Sequence, residues 1–407
     1  MTDKLFLIHH SSLIMVAAKR WPAKLLLLFV SILFALLVAE VALRIVGYSN
    51  PYFYTFEDET GWMLRPNTSG WFRKEGAAYV QINSAGMRDR EHTLPKPANT
   101  YRIAIVGDSF AEALQVPLEQ TFWHLLESKL ASCPALQGRQ IEVLNFGVSN
   151  YGTAQELIAL RTRVWAFAPD MVVLAFTPAN DVRNNARALE QDELRPYFVY
   201  QGDQLTADMS FRDSPAHKQK LTRLNNALYD AINHSRLLQL LNALREAQQT
   251  RRIAAQQQAR GDAAEGGVED QSFRPPQEQT WQEAWRVTEG IIAQMNREVR
   301  AHNAKFLVVS VTYGTQVHPD ESVRAAYAER LHVPDLFYPG RRLEALGTRE
   351  GFPVLDLAPP FQAYAAEHRT PLHGFNQTVN FGHWNQAGHE LASELIAQRI
   401  CAQLQQP

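Results

Sequence analysis

The stretch Arg102 to Val106, read as R-I-A-I-V, constrains this chain more than any other. Branched apolar residues crowd into it, with Pro95 and Pro97 behind and Gly107-Asp108 ahead. A run apolar on both faces suits a strand of a parallel sheet, which is covered on both sides. Beyond Asp108-Ser109, Glu119-Gln120-Thr121 leads into Phe122, Trp123, Leu125, Leu126 and Leu130, apolar at helical spacing. A serine between such a strand and helix lies at the carboxyl edge of the sheet, where open α/β folds place their chemistry. Its N–H there faces the positive end of local backbone dipoles, which favours a developing oxyanion.

Similar runs recur at Ile141–Leu144, Met171–Phe176, Lys305–Val311 and Phe352–Leu355, with helical stretches between them. Five strands alternating with helices predict an α/β fold, a parallel sheet in three layers of flavodoxin-like type. A hydrophobic content of 46% over 407 residues supports a full core. The net charge of -2 gives no electrostatic case for a nucleic-acid partner. The 13 histidines are scattered, with no H-E-x-x-H and no Cys/His cluster, so neither a metal nor another cofactor is expected.

Leu25 to Ala39 is apolar but for Ser31, and the run continues to Val46 past Glu40 and Arg44, which are spaced to pair on one helix face. Trp21 and Tyr48 flank it as interfacial aromatics do. At ~1.5 Å per residue the segment is long enough to span a bilayer. Lys4, Lys19, Arg20 and Lys24 precede it, which predicts residues 1–24 inside, an anchor at 25–47, and everything after Tyr48 outside. A cleaved signal peptide fits less well, because the run is long and lacks a small-x-small site.

Residues 48–98 read as a β-rich, membrane-proximal segment. Trp71-Phe72 and Tyr79–Ile82 suggest short strands, and Asn83–Gly86 a turn. Met87-Arg88-Asp89-Arg90 follows and reads as packing plus a surface ion pair. Between the third and fourth strands lies an insertion, about 186–279. Leu221, Leu224, Leu228, Ile232, Leu238, Leu241 and Leu244 form an apolar stripe there, expected to pack on the core, with a lid or partner surface as alternatives. Gln248 to Gln271 is Gln-, Ala- and Gly-rich and reads as a mobile tether. Thr280-Trp281-Gln282-Glu283 has the form of a capping box opening a helix.

Four blocks come in one order: G-D-S-F at Ser109, N-F-G-V-S-N-Y-G over Asn145–Gly152, Asn180-Asp181 after the third strand, and N-F-G-H-W-N-Q-A-G-H around His383. Serine, glycine-rich loop, asparagine and late histidine resemble the SGNH hydrolases, the GDSL-type esterases. The resemblance runs from about Asn99 to the end, and segments like 48–98 precede the catalytic block in membrane-anchored bacterial members. It implies Ser109 as nucleophile and His383 as base, with His318 and His373 as weaker alternatives and His389 structural. Oxyanion donors would be the Ser109 N–H, a backbone N–H of the 147–152 loop (Gly147 or Asn150), and the Asn180 amide. Asp108 would order the serine turn.

The chain departs from the family in two places. Asn150 stands where the family has glycine, a change Asn tolerates better than most residues. The orienting acid is missing, because Asn380 and Phe381 occupy its usual positions before His383. Asn380, a main-chain carbonyl, Asp181 or Asp356 could take its place. Cys133 and Cys401 are the only cysteines, and the first and last helices adjoin in a sheet of this type, so an extracytoplasmic disulfide is geometrically reasonable. Two functions follow as expectations. One is a serine esterase or O-acyl transferase acting outside the membrane on an acylated glycan or small ester. The other is a weak or inactive SGNH-like module for glycan binding or assembly of a membrane complex.

Overall fold

The computed structural model describes residues 21–260 and 270–405. The chain forms two compact units, Met1–Tyr52 with Tyr229–Ile253, and Phe53–Leu228 with Ala254–Pro407. Lys4, Lys19 and Arg20, on which the inside position of the N-terminus was argued, lie outside the described residues.

The larger unit opens with two antiparallel hairpins. Strand β1 (Tyr54–Glu57) pairs with β2 (Gly61–Leu64), and β3 (Ser69–Phe72) with β4 (Ala78–Gln81). Next come β5 (Thr100–Gly107), β6 (Gln140–Asn145) and β7 (Met171–Phe176). A third hairpin, β8 (Tyr197–Gln201) with β9 (Gln204–Asp208), precedes β10 (Lys305–Ser310) and β11 (Val354–Asp356). The five parallel strands stand in the order β11-β10-β7-β5-β6, the flavodoxin-like order 2-1-3-4-5.

Every residue of β5 is buried. Its side chains alternate between two cores, Ile103 and Ile105 with Trp123 and Leu126 on one face, Ala104 and Val106 with Phe176 and Trp285 on the other. A strand sealed on both faces cannot shift register without exposing apolar area on one face and jamming the other. Its single charge, Arg102, is wholly buried and donates to Glu142 at 2.8 Å and to the Phe167 carbonyl at 2.7 Å. The helix Phe122–Leu130 packs beside the terminal helix Gln386–Gln405, where Lys129 bonds Glu390 at 2.7 Å. Cys133 and Cys401 are joined in a disulfide, Cα to Cα 5.6 Å.

The insertion departs from expectation in three ways. It contains the β8–β9 hairpin, for which the sequence suggests no strands, although Gly202, at φ 62°, makes a fitting hairpin turn. Gln248–Arg260 continues the helix Arg236–Arg260 and is no tether, as its Ala, Gln and Arg content favours; residues 261–269 lie outside the described part. The leucine stripe does not pack on a core: Leu224, Leu228, Leu241 and Leu244 are at least half exposed. Helical spacing of leucines shows that a face is apolar, not what covers it.

In the smaller unit the helix Trp21–Ile45 contains one stretch, Ala23–Ile45, long and apolar enough to cross a membrane. Its Glu40 and Arg44 pair at 2.8 Å, as their spacing implies.

Candidate active site

Strand β5 ends at Gly107 and delivers Asp108 and Ser109 at the carboxyl edge of the sheet. Ser109 starts the short helix Ser109–Glu112. Asp108, wholly buried, accepts from the Phe110 N–H at 3.0 Å, the Thr177 hydroxyl at 2.9 Å and the Asn180 amide at 3.0 Å. Asp108 therefore orders the serine turn. Burial pushes its carboxyl up, and those donors hold it back. The 145–152 loop comes so close that a Cβ on Gly147 would lie 2.5 Å from the Glu112 nitrogen, so only glycine fits. Arg88 is no surface charge. It is buried and donates to the carbonyls of Glu112, Ala113 and Val116, tying down the chain that follows the serine helix.

His383 sits in a loop held from both sides. Trp384 is buried against Phe110, Phe122 and Phe361, and it bridges to His373 in a short β-contact. The Gly374 N–H donates to the His383 carbonyl at 2.8 Å. These constraints put His383 Nε2 2.8 Å from Ser109 Oγ. The histidine and serine proposed from the sequence, 274 residues apart, are in hydrogen-bond contact.

The other ring nitrogen meets a residue the sequence reading missed. His383 Nδ1 lies 2.5 Å from Glu75 Oε2, and the His383 backbone N–H donates to Glu75 Oε1 at 2.8 Å. Glu75 stands in the turn between β3 and β4. The fit is close, since a Cβ on Gly382 would collide with Glu75 Oε1. Burial pushes Glu75 up, but its bonds to His383 and the charge there win and hold it below the usual carboxylate range. Burial pushes His383 down, and Glu75 wins again, raising it above an ordinary histidine. Both directions favour the charged pair.

None of the expected orienting side chains contacts the His383 ring among the described residues. Asn380 gives its N–H to the His373 carbonyl at 2.9 Å, and its buried Oδ1 has no partner among the described residues. Asp181 accepts from the Thr177 N–H at 2.9 Å, beneath Asp108. Asp356 accepts from the Ala358 N–H at 3.1 Å and packs on Gly340. The alternative bases also fall away. His373 is buried, with Nε2 on Thr312 at 2.9 Å and Nδ1 on the Gly382 carbonyl at 2.7 Å, and burial drives it down to about 4. His318 accepts from the Asp320 N–H at 3.0 Å, in another loop. His389 packs on Phe122 and Trp384, pushed by burial to about 3.

Of the expected oxyanion donors, Gly147 is excluded: its N–H donates to Asn145 Oδ1 at 3.0 Å. The Ser109 and Asn150 N–H groups donate to no acceptor among the described residues. Asn150 takes φ 63°, the left-handed region in which glycine is ordinarily found. The Asn180 amide spends one hydrogen on Asp108 and keeps one. A cavity of about 880 Å³ adjoins the Glu75 turn, lined by Ala77, Gln115, Tyr364, Phe375 and Asn385 among others; Ser109 and His383 do not line it.

No local signal marks Glu75. It lies in R-K-E-G-A, which reads as a charged surface turn, outside the stretch that resembles a family. The only pointer was negative, the empty acid position before His383.

No family model matches the chain, and no curated protein matches it. Among solved structures it is similar to a putative acylhydrolase from Bacteroides fragilis, with 14% identity and a TM-score of 0.35 over 77% of this chain and 92% of that one. An acetyl xylan esterase, AlAXEase, matches at 11% and 0.38 over 74% and 99%. TesA matches at 15% and 0.36 over 74% and 99%. Likenesses this slight carry no inference about what this chain does.

Proposed function

We propose that the chain is a membrane-anchored serine esterase or O-acyl transferase of SGNH type that works through an acyl group on Ser109. The observation that carries this reading is the continuous line Ser109 Oγ, His383 Nε2, His383 Nδ1, Glu75, with contacts of 2.8 and 2.5 Å. Nucleophile, base and orienting acid are the parts acyl transfer needs.

In this reading His383 Nε2 takes the Ser109 hydroxyl proton as Oγ attacks the ester carbonyl. The Ser109 and Asn150 N–H groups and the free Asn180 hydrogen face the oxyanion. Glu75 stabilises the imidazolium, which then hands its proton to the leaving alkoxide. Water completes hydrolysis, or a second hydroxyl takes the acyl group. No metal or other cofactor enters this sequence. The proposed substrate is an O-acylated glycan, a class supported by the extracytoplasmic side on which the basic N-terminus and the apolar helix would place the larger unit. The membrane would be the cytoplasmic one, crossed once, with the larger unit in the periplasm. The non-catalytic alternative drew on Asn380 in the acid's place and on Asn150, and Glu75 beside His383 speaks against the first of these.

A fluorophosphonate probe should label the wild type and leave Ser109→Ala unlabelled. A wild type that resists the probe and leaves short acyl esters intact would return the chain to the non-catalytic alternative.

A further inference from the structure

We infer that the helix Arg236–Arg260 lies on the membrane surface, with Leu238, Leu241 and Leu244 set into the lipid interface. The inference rests on the reading of Ala23–Ile45 as a membrane span.

The span and this helix are joined at the level where the span ends. Glu40 is the first charge after the apolar run and Arg44 the next, both within the last two turns of Ala23–Ile45, so they stand near its boundary end. The Glu40 carboxylate accepts from the Arg236 and Leu237 N–H groups, each at 2.9 Å, and from the Ser235 hydroxyl at 2.9 Å. It thus caps the helix N-terminus, where unpaired N–H groups and the helix dipole favour an anion. Arg44, one turn further along the span, donates to the His234 carbonyl at 2.7 Å. The first turn of the helix is therefore held at the bilayer boundary.

The two faces of the helix differ. Gln239, wholly buried, accepts from the Asn50 N–H at 2.8 Å, and Arg236 donates to Ser49 at 3.1 Å, so this face holds the chain leaving the span. At about 100° per residue, Leu238, Leu241 and Leu244 centre roughly opposite Gln239. They are 36%, 54% and 54% exposed. Arg245 is exposed beside them, placed to snorkel toward headgroups. An apolar face on one side, a polar face on the other, and an N-terminus pinned at the boundary are the features of an interfacial helix.

The test uses the full chain in phospholipid nanodiscs. Both native cysteines are in the disulfide, so single introduced cysteines can carry a nitroxide. The control site is Ala247, which is exposed and stands about 120° round the helix from Leu241, off the leucine face. Labels at Leu241→Cys and Leu244→Cys should show an oxygen-to-nickel-chelate accessibility ratio several-fold above that of a label at Ala247→Cys. Equal, water-like ratios at the three sites would overturn the inference. So would dipolar broadening between copies at Leu241, which would mean that a second chain covers the face. A label at Leu33→Cys separates the two readings. If it reports hydrocarbon while Leu241 reports water, only the interfacial helix fails. If it too reports water, the span itself fails.

Discussion

Two carboxylates flank the Ser109–His383 pair, and their surroundings set them to opposite tasks. Asp108, under the serine, is wholly buried and faces neutral donors from Phe110, Thr177 and Asn180. Glu75, beyond the histidine, retains some exposure and faces a ring that can carry charge. Burial keeps the first above the usual range, and His383 draws the second below it. A buried carboxylate among neutral donors holds a turn; one bonded to imidazole holds a proton's destination. In the proposed triad, closeness to Ser109 in the chain does not select the orienting acid. What the carboxylate faces does.

The largest effect is expected from removing the imidazole that lies between Ser109 and Glu75. His383→Ala should abolish ester turnover, and activity that survives would remove Glu75's proposed role with it. Glu75→Gln comes next. An amide in place of a triad acid can cost ~10⁴-fold in kcat, so a loss of about 10³- to 10⁴-fold is expected with the fold unchanged by circular dichroism. The same variant has a pH signature. The base works when neutral, so kcat/KM rises as pH climbs through the His383 pKa. Glu75 holds that pKa above an ordinary histidine's, so the rise in the wild type should centre above about 6.5. Glu75→Gln should move it to lower pH, and an unmoved midpoint would show that Glu75 does not face the working histidine.

Asp108→Asn should act differently. It turns one of three accepted bonds into a donor facing a donor, costing about 1–3 kcal/mol of stability in denaturant titrations. Its acid limb should move to lower pH by less than that of Glu75→Gln, because Asp108 also raises His383 but without a bond to the ring. A shift as large as that of Glu75→Gln would erase the distinction between the two carboxylates. The smallest effect is expected for Asp356→Asn, whose carboxylate bonds the Ala358 N–H away from His383. Its kcat should stay within about threefold of wild type, because losing less than ~0.7 kcal/mol from the transition state costs no more than that. A large loss would reopen the choice of acid.

The parallel sheet, the edge on which Ser109 sits and the place of His383 ahead of the terminal helix are legible in the linear chain. Each belongs to a local pattern: a run apolar on both faces, a helix following at regular spacing, a histidine ahead of the terminal helix. Such patterns survive in one dimension because burial imposes them residue by residue. The positive φ of Asn150 was legible for the same reason, since few other residues tolerate it. The carboxylate beside His383 and the exposure of the leucine stripe emerge only from packing. Glu75 reaches His383 across 308 residues of chain, from a turn with no pattern of its own. Arg88, which read as surface charge, is buried because its partners are backbone carbonyls, identical at every position in the sequence. Leu241 and Leu244 read as core because periodicity records that a face is apolar. Whether protein, lipid or water meets that face depends on how helices are placed in space, and for this helix the placing residue is Glu40, 196 residues before Arg236 in the chain.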